Sequence, residues 1–141
     1  MEKRNAVIDE LMDQRFGHDS LIALATVENG EPFVQTVNAY YMDGSFYVVT
    51  YAASRKMQQI QKHPAVAICG DWFTAHAMGE NLGHVLLEEN RGIMEHVRKA
   101  FSSWYANGHT NETDPNTCLL RLRLTDGLLL SHGKRYEIDF R

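Results

Sequence analysis

The stretch FYVVTYAASRKMQQIQKHPAVAIC, residues 46–69, decides how the rest of the chain is read. Phe46, Tyr47, Val48, Val49, Thr50 and Tyr51 are all β-branched or aromatic and run without a polar break, which predicts a strand. The period then changes. Ser54 is a good helix N-cap, and residues 55–62 (RKMQQIQK) are mostly strong helix formers, with Met57 and Ile60 three apart on one narrow apolar stripe. Pro64 stops that helix, and the apolar run 65–69 returns to a strand. The unit is strand, short helix, strand, with Ser54, Arg55 and Lys56 at the first junction. A helix N-terminus offers unpaired N–H groups and the positive end of a dipole, so a hydroxyl and two cations there make a place for a phosphate. The ordinary alternative is that Ser54 only caps the helix while Arg55 and Lys56 are solvated. Against it stands the dipole, which disfavours cations in a first turn.

Phe46-Tyr47 leading to Thr50, then Ser54-Arg55-Lys56, Ile60 and His63-Pro64-Ala65-Val66-Ala67-Ile68, resemble the flavin-binding segment of the pyridoxamine 5′-phosphate oxidase-like family, the FMN-binding split barrels. The resemblance implies a mainly β fold with helices, a six- to seven-stranded antiparallel split barrel spanning residues 1–141 as one domain. It also implies FMN as cofactor, its phosphate held by Ser54, Arg55 and Lys56, with Val49 and Thr50 at the end of the preceding strand against the flavin. The order of elements along nearly the whole chain is compatible with it.

At 141 residues and 44% hydrophobic content, the chain is long enough for one buried core and too short for two. Its formal charge of −4 and pI near 5.9 argue against nucleic acid or an anionic membrane as main partner, since both require a basic face. The two cysteines, Cys69 and Cys118, lie in apolar strand-like runs, and neither a signal peptide nor a bilayer-spanning run is evident. A reduced, cytoplasmic protein is the expectation.

From its start, the chain places Val7, Ile8, Leu11 and Met12 at helical spacing, predicting an amphipathic helix over 2–16 that ends at Gly17. Residues 21–27 (LIALATV) read as a strand, Asn29-Gly30 as a hairpin turn, and 33–41 (FVQTVNAYY) as a second strand. Asp43-Gly44 turns into the strand at 46–51, giving a three-stranded antiparallel meander. On the second strand, oxidases that make pyridoxal 5′-phosphate carry an arginine and a lysine. Here Gln35, Thr36, Asn38 and Tyr40 stand instead. The resemblance puts Gln35, Thr36, Val37 and Asn38 beside the flavin, where neutral hydrogen-bonding groups can meet the polar edge of an isoalloxazine ring. The alternative is that Gln35 or Asn38 simply faces water. The departure weighs against the vitamin B6 reaction more than against FMN.

Residues 72–87 read as a long strand interrupted by Gly79 and Gly83, where a bulge, a bend or a close backbone approach is expected. Trp72, Phe73 and Thr74 stand where family members place residues that touch the flavin or the dimer partner; an aromatic there is equally often plain core. Residues 88–107 give the longest helical pattern, with Asn90 as N-cap, expected to pack across one barrel opening. A polar loop follows over 108–116. The run 117–124 alternates leucine with Arg121 and Arg123, Asp126-Gly127 kinks it, Leu128 to Leu130 continue it, and His132-Gly133 leads to a last strand over 135–140.

The seven histidines are scattered and no His-x-x-x-His or Cys-x-x-Cys pair occurs, so no metal site is expected. No Gly-x-Ser-x-Gly elbow, Walker loop or Gly-x-Gly-x-x-Gly fingerprint is present. Three functions follow from the resemblance: an FMN-dependent oxidoreductase for an unknown small flat substrate, with a nitro-aromatic or quinone-like acceptor suggested by nitroimidazole-resistance reductase-like relatives; a non-catalytic flavin-binding sensor or carrier; and a haem-binding split barrel, for which His76 or His132 are the candidate axial ligands. A homodimer with FMN at its interface is expected, because Phe73, Phe101, Trp104, Tyr105 and Leu128 to Leu130 exceed what a small barrel needs inside.

Overall fold

The computed structural model describes residues 1–141, and its elements follow in the order β1 (Glu2–Lys3), α1 (Ala6–Phe16), β2 (Ser20–Glu28), β3 (Glu31–Met42), β4 (Ser45–Tyr51), α2 (Arg55–Lys62), β5 (Ala65–Gly70), β6 (Phe73–His84), α3 (Arg91–Ala100), β7 (Thr117–Ser131) and β8 (Lys134–Asp139). The two hairpin turns form as their chemistry requires: Asn29 and Gly30 have φ of 52° and 77°, Asp43 and Gly44 of 50° and 86°, the paired left-handed conformation of tight turns. Six strands, in the order β7-β4-β3-β2-β5-β6, close into an antiparallel barrel through the β6–β7 pairing. The chain thus has the split-barrel fold. β8 adds to the C-terminal half of β7, and β1 runs parallel to β8 at the edge.

Alternation builds the core. On β2, Ile22, Leu24 and Thr26 point inward, as do Val37, Ala39 and Tyr41 on β3 and Phe46 and Val48 on β4. α1 closes one end of the barrel with Ile8, Met12 and Phe16, and α2 closes the other with Met57 and Ile60. The Phe16 ring sits 5.3 Å from that of Phe46 and 5.4 Å from that of Phe73. Gly79 is the close approach: a Cβ there would stand 2.7 Å from Ile60 Cγ2 on α2. Gly83, at φ 93°, lies within a register shift between Asn81 and His84, so it serves a bulge.

Three expectations are corrected. The first helix begins at Ala6 rather than residue 2, because the Asn5 side chain accepts from the Ile8 N–H (3.0 Å) while residues 2 and 3 pair with Ile138 and Asp139. The third helix stops at Ala100 instead of running to 107: Ser102 and Ser103 are poor helix continuers, Trp104 stacks back on Phe101 with ring centroids 4.9 Å apart, and its indole N–H donates to Asp19 (2.9 Å). That helix does not cross a barrel opening. It lies on the outer wall, where Met94, Val97 and Phe101 cover Tyr47 of β4 and Leu119 of β7.

Phe16 is the plug whose removal tests the packing. Phe16→Ala should cost about 3–5 kcal/mol of stability, the usual range for a fully buried aromatic. Urea unfolding followed by far-UV circular dichroism measures it; a loss near zero would mean that α1 does not close the barrel.

Candidate functional site

β3 and β4 are paired only where Tyr40, Tyr41 and Met42 face Tyr47, Phe46 and Ser45. Beyond that point they part. β4 continues from Val48 to Tyr51 against β7, while β3, traced backward from Ala39 to Glu31, stays on β2. The facing edges of the two strands are therefore open, with backbone N–H and C=O groups available to a ligand. At the mouth of this opening stands the N-terminus of α2, delivered by a turn in which the Ser54 N–H donates to Tyr51 O (3.0 Å) and the Ala52 N–H to Asn116 O (2.7 Å).

The Ser-Arg-Lys cluster proves to be three different things. Ser54 is the N-cap, its Oγ accepting from the Met57 N–H at 3.3 Å. Arg55 is exposed, laid over the Phe33 ring at 4.3 Å, with its Nε donating to Glu28 Oε1 at 3.3 Å. Lys56 is 8% exposed and has neither a carboxylate nor a hydrogen-bond acceptor in the chain. Burial pushes its ammonium below the ordinary lysine range, and only the Cys118 thiol beside it works the other way. Cys118, in turn, is pushed up by burial. The N–H groups of Arg55 and Lys56 likewise find no acceptor in the chain. A partly desolvated, unpaired cation beside two free N–H donors is a place that an anion would complete.

Around this point the structure gathers Thr50, which faces Cys118 across the β4–β7 pair, and the inward-turned Phe33 and Gln35 of β3. Other expected site residues lie elsewhere. Val37 is packed in the core, and Val49 turns outward beneath α3. Asn38 points to the outer wall, where its amide donates to Asp19 Oδ1 (3.0 Å), and Thr36 shares that face. Trp72, at φ 50° in the β5–β6 turn, sits at the α1 end of the barrel, its carbonyl held by Arg15 (3.3 Å). Thr74 lies on the outer face between Cys69 and Leu128. Glu28, Phe33, Gln59 and Cys118 enter the site without a sequence motif; Phe33 arrives there because it lies two positions from Gln35 on the same strand face.

The haem candidates each have one ring nitrogen engaged and Nε2 without a partner: His76 Nδ1 lies 2.9 Å from Asp126 Oδ1, and His132, in a tight turn, has Nδ1 3.0 Å from Ser131 Oγ. No group of three or more His, Cys, Asp or Glu side chains is placed to hold a metal ion. No helix is long and apolar enough to cross a membrane.

The outer wall of β2, β5 and β6 carries a groove of about 490 Å³, lined by Ala23, Ala25, Val34, Ala67, Cys69 and Thr74 among others. The exposed apolar residues Leu21, Val34 and Trp72 belong to this side of the barrel. Phe73, Phe101 and Leu129, by contrast, are buried within the chain itself, so they supply no surface for a partner.

A family profile described as pyridoxamine 5′-phosphate oxidase matches residues 8–131. The chain belongs to the pyridoxamine 5′-phosphate oxidase-like family, a family of flavin-binding proteins. Among solved structures it is similar to a NimC/NimA family protein from Clostridium acetobutylicum, at 18% identity and TM-score 0.67 over 92% of each chain. It is also similar to the General Stress Protein 26 from Bacillus anthracis (15%, 0.68, over 92% of this chain and 98% of that one). A third is a FAD-binding protein from Mesorhizobium loti (14%, 0.67, over 88% and 92%). Comparison with curated proteins returns no significant match.

The lowered Lys56 pKa carries a pH signature. Between its folded value and the usual 10.5 the unfolded chain binds more protons, so this residue makes the ligand-free protein more stable as pH rises through that window. Cys118, raised from 9.0, acts in the opposite direction and must be subtracted. Urea midpoints of wild type and Lys56→Met from pH 7 upward should show the variant more stable at neutral pH, with the gap closing as pH rises. A gap independent of pH would mean that the ammonium is not desolvated.

Proposed function

We propose that the opening between β3 and β4 holds FMN, and that the protein is an FMN-dependent oxidoreductase acting on a small flat substrate. The observation that carries this reading is Lys56, buried without any anion at the N-terminus of α2. The residues present fit the cofactor. Its phosphate would be held by the Lys56 ammonium, the free end of the Arg55 guanidinium and the N–H groups of Arg55 and Lys56, with Ser54 holding the turn in place. Thr50, Gln35 and the open strand edges offer donors and acceptors to the ring. When bound, FMN supplies the electron chemistry, and the protein binds, orients and shields it.

The substrate is argued from charge. β3 presents no cation on either face, so nothing there recognises a second phosphate such as pyridoxamine 5′-phosphate carries. A neutral flat acceptor, nitro-aromatic or quinone-like, suits these walls better, and a NimC/NimA family protein is among the structural neighbours. A homodimer accounts for the exposed Leu21, Val34 and Trp72 and for the outer groove. Pairing would bring Trp72 and Thr74 of one chain to the flavin of the other, the way these residues can meet a cofactor that their own chain holds at the far end. The protein acts in the cytoplasm on this reading, its two cysteines free.

Purified protein reconstituted with FMN should show the two-banded absorbance of bound oxidised flavin, and NAD(P)H or dithionite followed by an acceptor should bleach and restore it. Absence of reoxidation by any acceptor would leave a flavin carrier; a Soret band would replace the reading with haem. Lys56→Ala and Arg55→Ala should each weaken FMN binding about tenfold to a hundredfold, since a charge-assisted hydrogen bond contributes roughly 1.5–3 kcal/mol. Unchanged affinity in the double variant would sink the assignment. Light scattering combined with a flavin-to-protein ratio tests the shared site: a monomer that retains one FMN per chain would refute it.

A further inference from the structure

Arg55 is the long, exposed member of the phosphate clamp, and a free arginine loses most of its rotamer entropy when it grips a ligand. Contacts that could supply part of that ordering are already present in the chain itself. The Arg55 Nε donates to Glu28 Oε1 at 3.3 Å and its guanidinium carbon lies 4.3 Å over the centre of the Phe33 ring, while both Nη groups are without a partner. Glu28 is itself held. The same Oε1 accepts from Gln59 Nε2 at 3.0 Å, and Gln59, 4% exposed, has its own Oε1 fixed by the Thr26 hydroxyl at 2.5 Å. A chain of contacts thus runs from buried Thr26 on β2, through Gln59 of α2, to the exposed cation of the site. Each link names its next: Thr26, Gln59, Glu28, Arg55.

We propose that Glu28 is a positioning residue for the clamp, presetting Arg55 so that its two terminal nitrogens are ready for an anion. The proposal rests on the FMN reading for the identity of that anion. A carboxylate beside a phosphate site would on charge alone weaken binding; because it occupies Nε and leaves the Nη fork free, its contribution is orientation, which is what preorganised sites gain from. The oxygen, not the charge, does the positioning. Glu28→Gln keeps an Oε1 able to accept from both Gln59 and Arg55, whereas Glu28→Ala removes the acceptor from both.

The test has two arms. In ligand-free protein, the Nε–Hε group of Arg55, followed by heteronuclear NOE, should be ordered in wild type and Glu28→Gln and mobile in Glu28→Ala. Equal mobility in wild type and Glu28→Ala overturns the proposal whether or not FMN binds. In titrations with FMN, Glu28→Ala should weaken binding about fivefold to tenfold, the scale of one positioned hydrogen bond, and Glu28→Gln should restore or exceed wild-type affinity. In an Arg55→Ala background the Glu28→Ala loss should vanish, as a double-mutant cycle requires of a residue acting through another. Full additivity, or a Glu28→Gln variant as weak as Glu28→Ala, would show a merely structural role. A wild type that orders Arg55 yet takes no FMN would reject the cofactor and leave the positioning intact.

Discussion

β4 cannot follow two neighbours along its whole length. It holds β7 over seven residue pairs and β3 over three, and because each strand twists, the sheet parts where those two demands diverge. Everything that makes a site here depends on that parting. It exposes strand edges, it lets the turn after Tyr51 swing α2 across the barrel end, and it leaves the first turn of α2 looking into the opening. A barrel paired throughout would have sealed the same residues into a wall.

Within that opening the electrostatics are local. The chain carries a formal charge of −4, yet two cations stand side by side, and the structure treats them differently. Arg55 is exposed, stacked and paired, so it can approach or release a ligand at little cost in solvation. Lys56 is buried and unpaired, so its stability depends on what binds. One cation gives reach and the other gives dependence, a division that neighbouring positions on a helix make possible because they point about 100° apart.

Much of this was legible in the sequence where the signal was local. The change of period at Ser54, the two turn dipeptides Asn29-Gly30 and Asp43-Gly44, and the alternation along residues 117–124 place the strands and α2 as found. The family resemblance rested on the same segment. Legibility failed where a distant residue decides the outcome. The end of α3 depends on Trp104 reaching Asp19, 85 positions away, and the start of α1 on residues 2 and 3 finding β8. Of the expected site residues, Thr50 pairs with Cys118 and Lys56 lies near the same thiol, while Val37 is taken into the core and the side chains of Val49, Asn38 and Thr36 turn to the outer face. Strand alternation assigns faces only after the register is known, and the register is set by pairing rather than by composition. Glu28 and Gln59 carry no motif; their meeting is a product of β2 ending where α2 lies.

β7 is shared by three strands: β4 and β8 in tandem along one edge, β6 along the other. Its consequence lies in the order of folding. The β2–β3–β4 meander is made of near neighbours in the chain and can form early, whereas β4 meets β7 only across some seventy intervening residues, a long loop to close. During synthesis the barrel therefore stays unclosed until the segment ending at Ser131 has emerged, with the edges of β4 and β6 bare meanwhile. The segment from Thr117 onward is the keystone, and a nascent chain halted before it would present open strands rather than a smaller barrel.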